Sequence, residues 1–283
     1  MTRPYADLLD LAVGAAAEAA ELVLRMRTEG VDVAGEKSSP TDIVTRADHA
    51  AEDLLRTRLL SARPDDGFLG EEGDDLPGTS GLRWVVDPID GTVNYLYGHR
   101  AYAVCVAVEQ VDHDGADGTD GAGRVVAAVV HAPALGEVYT ATLGGGAYCN
   151  GEPIAVRDVV PMEQRLIGTG FNYVREVRLA QAGYVARLLE RVRDVRRGGS
   201  AALDLCSVAA GRLDGYAEEG THPWDDAAAG LVAAEAGAEV AIWTSPAGNR
   251  LTVAAPKGDF SGFADVLAES GFVGNTAGNT SVH

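Results

Sequence analysis

The chain has 283 residues, 46% of them hydrophobic, which suffices for a sizeable core in one large domain or two closely joined halves. Its formal charge of −19, with only two lysines in the whole sequence, excludes bulk nucleic-acid binding, because neutralising a phosphate backbone needs clustered Lys and Arg. Cys105, Cys149 and Cys206 are scattered and odd in number, which indicates neither a disulfide framework nor a zinc site and makes a reduced cytoplasm the simplest compartment.

From Tyr5 to Met26 the positions Leu8, Leu11, Ala15, Ala19, Leu22 and Met26 recur at helical spacing, with Gly30 as the stop. Arg3, Asp7, Asp10, Glu18 and Glu21 among the alanines exclude a signal peptide or membrane span there, and no later segment reaches about 18 uncharged apolar residues. A polar, turn-rich stretch containing Lys37 follows. A second helix is expected from Arg46 to Ala62, opened by Thr45 and Asp48 at the spacing of a capping box. That cap by itself accounts for the acid at 48. After a turn and a short strand at Phe68-Leu69 come two adjacent glutamates, Glu71 and Glu72. Only one of two neighbours on an extended backbone can point into a given site.

Trp84-Val85-Val86 reads as a buried strand, β-branched and aromatic, stopped by Asp87-Pro88. Asp87 and Asp90 follow it, with a turn at Asp90-Gly91-Thr92. Asp-Gly-Thr is ordinary turn chemistry. What a turn leaves unexplained is two acids so close together at a strand end, with Glu71 before them and Asp225 far downstream. Like charges gathered in one place repel unless cations sit among them, and oxygen-only ligands suit a hard ion such as Mg²⁺.

Beyond Ala101 the chain alternates as a strand, then passes through Asp112 to Gly123, acidic and glycine-rich, expected as a flexible hairpin tip. Two more strands and a tight Asn150-Gly151 hairpin follow. The second half starts with a strand at Leu166–Phe171 and a helix at about Glu176–Arg193. Gly198-Gly199-Ser200 then opens another helix, with Ser200 its N-cap. The next strand carries Glu218 and Glu219, of which Glu219 is expected to face away. Asp225 starts an alanine-rich helix, and closing strands lead to a last helix at about Phe260–Ser270.

Three motifs, Gly70-Glu71-Glu72, Asp87 to Asn94 and Trp224 to Ala238, stand in the order and spacing of the inositol monophosphatase family of Mg²⁺-dependent sugar-phosphate phosphatases, and the chain resembles that family from about Lys37 to Gly237. The resemblance implies an α/β, layered αβαβα sandwich like that of fructose-1,6-bisphosphatase. It would form one phosphatase domain over 1–271 with a metal-binding lobe to about 160, a substrate lobe after it, and a disordered tail over 272–283. It implies two or three Mg²⁺ ions, with Glu71, Asp87 and the Ile89 carbonyl holding one and Asp87, Asp90 and Asp225 a second. Thr92, supported by Asp48 and working with Glu71, would position and help deprotonate the attacking water. The amides of Gly91 and Thr92 would take phosphate oxygens. Gly199, Ser200, Ala201, Glu218 and Asp225 would contact a small phosphorylated polyol or sugar, with Lys37 near the metals. A homodimer and lithium sensitivity are implied too. Val93-Asn94-Tyr95 after the threonine is most similar to the inositol branch, since the lysine common there in other branches is absent. Histidinol-phosphate phosphatase is the runner-up, ahead of fructose-1,6-bisphosphatase. A regulator bound to the transcription machinery is the alternative from another class.

Overall fold

Alanine shapes the first layer. In helix α1 (Ala6–Glu29) the fully buried positions are Ala12, Ala15, Ala16, Ala19, Ala20 and Val23, a stripe at spacings of three and four. It lies about one residue round from the expected stripe, so Leu8, Leu11 and Met26 are only partly buried at its flank. Small side chains let α1 lie close to its neighbour α2 (Arg46–Ala62), with the short antiparallel pair β1 (Val33–Glu36) and β2 (Ile43–Thr45) between them in sequence. The computed structural model describes residues 5–31, 33–36, 43–111, 123–274 and 280–281. Lys37 and nearly all of the expected hairpin tip, residues 112–122, lie outside these.

The next layer is a seven-stranded sheet in simple sequence order: β3 (Gly67–Gly70), β4 (Leu82–Asp90), β5 (Ala103–Gln110), β6 (Arg124–Ala132), β7 (Glu137–Thr142), β8 (Gly146–Cys149) and β9 (Glu152–Pro153). β3 and β4 are parallel and the rest antiparallel. A short helix, α3 (Thr92–Tyr97), leaves the end of β4. Side chains alternate along β5. Val104, Val106 and Val108 pack on α1 and α2, whereas Ala103, Cys105 and Ala107 face the opposite way. A strand buried on both faces has no polar positions to show, so β5 is apolar from Ala103 to Val108 and lacks the polar alternation expected of it. Asn150 and Gly151, at φ 53° and 81°, make the tight turn between β8 and β9.

The second half adds β10 (Leu166–Thr169), α4 (Arg175–Leu188), β11 (Asp194–Arg196), α5 (Ala201–Ala209), β12 (Gly215–Glu219), α6 (Pro223–Glu235), β13 (Ala238–Thr244), β14 (Arg250–Pro256), α7 (Phe260–Ser270) and β15 (Thr280–Ser281). Its sheet runs β11-β10-β12-β14-β13-β15, parallel across the first three strands and antiparallel thereafter. α5 and α6 fill the space between the two sheets, where Ala228, Ala229, Gly230 and Ala233 of α6 are buried. Phe263 and Leu267 of α7 cover the far face together with Leu188 of α4. The layers are therefore helix, sheet, helix, sheet, helix, the αβαβα sandwich that the resemblance implies.

Several boundaries differ from expectation, β10 among them, which ends at Thr169 rather than Phe171. β4 does not stop at Asp87 but continues to Asp90, because the register slips between those two acids and the irregularity accommodates Pro88, which has no amide to donate. α4 ends at Leu188 rather than near Arg193. α6 begins at Pro223, whose fixed φ suits the first helical position, so Asp225 is its third residue rather than its first. The expected tail over 272–283 is anchored at its start: Phe272 is 2% exposed and lies 5.5 Å from the Tyr184 ring, and Thr280–Ser281 pairs with β13. Residues 275–279 and 282–283 are outside the described ones. Among the described residues no helix is long and apolar enough to cross a membrane.

Candidate active site

The end of β4 meets the starts of three helices, α3, α5 and α6, and a cavity of about 300 Å³ opens where they converge. The irregularity in β4 lets both Asp87 and Asp90 contribute to it, although an ideal strand would point residues three apart to opposite faces. Asp87 is 1% exposed, and its Oδ1 accepts the Ile89 amide at 2.9 Å. Gly91 then turns the chain at φ 95°, where a Cβ would lie 2.9 Å from the Ala101 carbonyl and 3.1 Å from that of Gly199. Only glycine fits there. Thr92 follows as the first residue of α3, and its hydroxyl lies 3.0 Å from both Asp48 Oδ1 and the Ile89 carbonyl oxygen, to which it donates.

Asp48 is held from the other side by its own helix start. Its Oδ2 accepts the Thr45 amide at 2.8 Å and the Thr45 hydroxyl. The capping box and the support of Thr92 are thus one arrangement, with one oxygen for each task. Asp225 repeats the device at α6, its Oδ2 accepting the His222 amide at 2.6 Å. Ligand oxygens of Asp87, Asp90 and Asp225 all lie within 4.8 Å of one another, and Glu71 lines the same cavity.

Asp90 is tied across the joint between the two halves. It receives the Ser200 hydroxyl at 2.5 Å, the Ala202 amide at 2.8 Å and the Ala201 amide at 3.3 Å. Ser200 also caps α5 by accepting from Leu203. The turn at Gly199-Ser200-Ala201 therefore serves Asp90 first. Gly199 and Ala201 line the cavity, whereas Ser200 is 2% exposed and does not. Glu218 lines it too, accepting from the Tyr216 hydroxyl at 2.9 Å, and a Cβ on Gly170 would lie 2.0 Å from its carboxyl carbon. Glu219 is held elsewhere, by Ser245 at 2.6 Å and Asn249 at 2.9 Å, although part of it also reaches the cavity wall.

This density of acids is costly. Burial pushes Asp90 up to about 6, against the pull of the Ser200 and Ala202 hydrogen bonds, and the Glu218 charge adds to the rise. Burial, then the charges of Asp90 and Glu71, lift Asp225 well above the usual carboxylate range. Burial raises Glu218 as well. Such a group of oxygens, buried and mutually repelling, is stabilised by a hard divalent cation, and the donor set fits Mg²⁺.

Several residues here were given no structural role by the sequence reading. Asn94 ties α3 to the Gly198 turn, donating to the Ala101 carbonyl at 2.7 Å and the Gly198 carbonyl at 2.9 Å. His222 and Trp224 stack at 4.9 Å on the cavity wall. The Arg197 guanidinium bends back over Gly199, bringing a positive charge to an otherwise acidic cavity. Asp204 sits beneath the same turn and is pushed up to about 8 by burial and by the charges of Glu218 and Asp90. A dipeptide with ordinary surface chemistry, such as Arg196-Arg197, reveals none of this before the chain is folded.

Residues 5–270, nearly the whole chain, match the inositol monophosphatase family. The chain belongs to that family. It is accordingly a phosphoric monoester hydrolase. The inositol-1-monophosphatase of Mycobacterium bovis is 45% identical, over 94% of this chain and 95% of that one. The solved structure of Mycobacterium tuberculosis SuhB is 40% identical with a TM-score of 0.77, over 95% of this chain and 98% of that one. The Escherichia coli protein called Nus factor SuhB is 35% identical, over 84% of this chain and 85% of that one.

Proposed function

We propose that this member of the family is a Mg²⁺-dependent inositol-1-monophosphatase, releasing myo-inositol and phosphate. The observation that carries the reading is the meeting of Asp87, Asp90, Asp225 and Glu71 in one cavity with a threonine hydroxyl anchored on a buried acid. The name of the 45% identical relative supports the substrate. Val93-Asn94-Tyr95 in place of a lysine after Thr92 agrees with it.

In this reading Glu71, Asp87 and the Ile89 carbonyl hold one Mg²⁺, and Asp87, Asp90 and Asp225 a second. Bound there, Mg²⁺ supplies positive charge that acidifies water and offsets the charge of the phosphate and of the leaving oxygen. The chain does the aiming. Thr92, fixed by Asp48, directs its hydroxyl oxygen at the attacking water, and Glu71 receives the proton. Amides of Gly91 and Thr92 donate to phosphate oxygens. Glu218 accepts from a polyol hydroxyl, with Gly199 and Ala201 beside it.

Phosphate release from myo-inositol 1-phosphate, histidinol phosphate, fructose 1,6-bisphosphate and adenosine 3′,5′-bisphosphate, each with Mg²⁺ and with EDTA, tests this. Inositol 1-phosphate is expected to dominate and EDTA to abolish turnover. Preference for another ester overturns the substrate, and no turnover overturns the phosphatase reading. The name of the E. coli relative supports a second role, docking on the transcription machinery, tested by pull-down with RNA polymerase. A homodimer is proposed as well, on the family resemblance, to be read by sedimentation.

A further inference from the structure

Helix α2 does more than hold Asp48. Asp48, Glu52 and Arg56 follow one another at intervals of four, one stripe on one face, each about 6 Å further along the axis. Asp48 takes the Thr92 hydroxyl. Glu52 Oε2 accepts the Glu72 amide at 2.8 Å, and Arg56 donates to the Asp74 carbonyl at 2.9 Å while its guanidinium lies 4.3 Å from the centre of the Phe68 ring in β3. The turn that carries Glu71 is thus gripped from α2 at two points.

Glu52 is 3% exposed and fills a slot that only this turn makes. A Cβ on Gly70 would lie 2.5 Å from its carboxyl carbon, and one on Gly73 2.7 Å from Oε1. The chain wraps around the carboxylate with glycine on each side. Its ion pair with Arg56, at 3.5 Å and with the arginine 27% exposed, is weak support for burying an acid. An apolar side chain would fill the slot at lower desolvation cost, but it could not hold the Glu72 amide.

We propose that Glu52 is a positioning residue for the metal site: through the Glu72 amide it fixes where the neighbouring Glu71 carboxylate points. One rigid helix then sets both Thr92 and Glu71, the two groups that must converge on the attacking water. The inference rests on the reading of Glu71 as a metal ligand. Neither Glu52 nor Arg56 lines the cavity, so both act only through others.

The test is Mn²⁺ titration calorimetry together with steady-state kinetics on Glu52→Ala, Glu52→Gln and Gly73→Ala. Glu52→Ala is expected to weaken Mn²⁺ binding by about tenfold or more, to lower kcat similarly, and to leave KM for inositol 1-phosphate at saturating Mg²⁺ within about twofold. Glu52→Gln keeps an acceptor oxygen and should stay within about threefold of the parent in every readout. Gly73→Ala pushes the turn off an intact carboxylate and should shift Mn²⁺ affinity the same way. Unchanged Mn²⁺ affinity in Glu52→Ala, or a loss confined to KM, overturns the proposal. Should that variant not fold, wild-type Mn²⁺ affinity in Gly73→Ala overturns it. A parent protein that binds Mn²⁺ yet cleaves no ester sinks the phosphatase reading alone, and the Mn²⁺ comparison still decides the role of Glu52.

Discussion

Two helices of this protein begin alike and end up with opposite duties. α2 and α6 each open with a capping box whose third helical residue is an aspartate accepting the N-cap amide, at 2.8 Å from Thr45 and 2.6 Å from His222. At Asp48 the second oxygen meets a hydroxyl, that of Thr92, and the acid is a fully engaged support. The surroundings of Asp225 are Asp90 and Glu71, two more acids, and its carboxyl is driven well up by burial and by them. The local motif determines where a helix starts. Whether its acid is scaffold or ligand is decided by what reaches the second oxygen, from 44 residues away at Asp48 and from still further at Asp225.

The sharpest way to break this contrast is Asp225→Asn. The amide can still accept from His222 and keep the cap, so the fold should survive, and without Mg²⁺ the variant should melt higher because a buried charge is gone. Turnover should fall by about a thousandfold or more. Near-normal turnover would show that Asp225 is a cap only. Asp48→Asn should separate the two roles differently, lowering kcat by about a hundredfold while leaving Mn²⁺ affinity unchanged in calorimetry. A loss of metal binding there would place Asp48 with the ligands.

pH sharpens the comparison next. Asp90 at about 6 and Asp204 at about 8, against an ordinary 3.8, keep protons in the folded state that the unfolded chain has already lost. Raised carboxyl values mean that stability falls as pH climbs from about 4 to about 8, by a few kcal/mol, which is on the order of ten degrees in melting temperature. Melting in EDTA should show this fall, and Mg²⁺ should reverse it at the alkaline end. A melting temperature that rises over that interval contradicts the site's electrostatics. The smallest effect is Thr45→Ala, which removes a cap hydroxyl at a cost of about 1 kcal/mol but leaves the Thr45 amide on Asp48, so turnover should stay within about threefold.

The order of elements was legible because long periodic helices and apolar strands state their own burial, and the sandwich was legible through the family resemblance. That Glu71, Asp87, Asp90 and Asp225 gather at one cavity was legible as a constellation, through family resemblance more than through any one spacing. Three adjacent pairs mark the limit of local reading. In Asp225-Asp226 the second acid is bound by Arg250 at 2.7 Å and Thr252 at 2.6 Å, and in Glu71-Glu72 the second presents its amide to Glu52. Glu218-Glu219 divides in the same manner, with Ser245 and Asn249 holding the latter. Nothing within any of these three dipeptides says which member is which, because the distinguishing partner sits about twenty or more residues away. α3 was missed because six residues are too few to show a period, and Gly91-Thr92 looks like the turn it partly is. Arg197 and Asp204, and the tie that Asn94 makes to the Gly198 turn, were invisible for the same reason as the pairs: their surroundings are assembled only by the fold.

The threefold tie of Asp90 to Ser200, Ala201 and Ala202 bears on how such a protein can diverge. A descendant that keeps this architecture for some other purpose could exchange Asp225 for another helix-capping residue with little structural loss. It could not so easily part with Asp90, which joins strand β4 to helix α5 across more than a hundred residues of sequence. In a lineage drifting away from catalysis, the acid at position 90 should be the last of the cluster to disappear, a remnant of the lost chemistry kept for its hydrogen bonds.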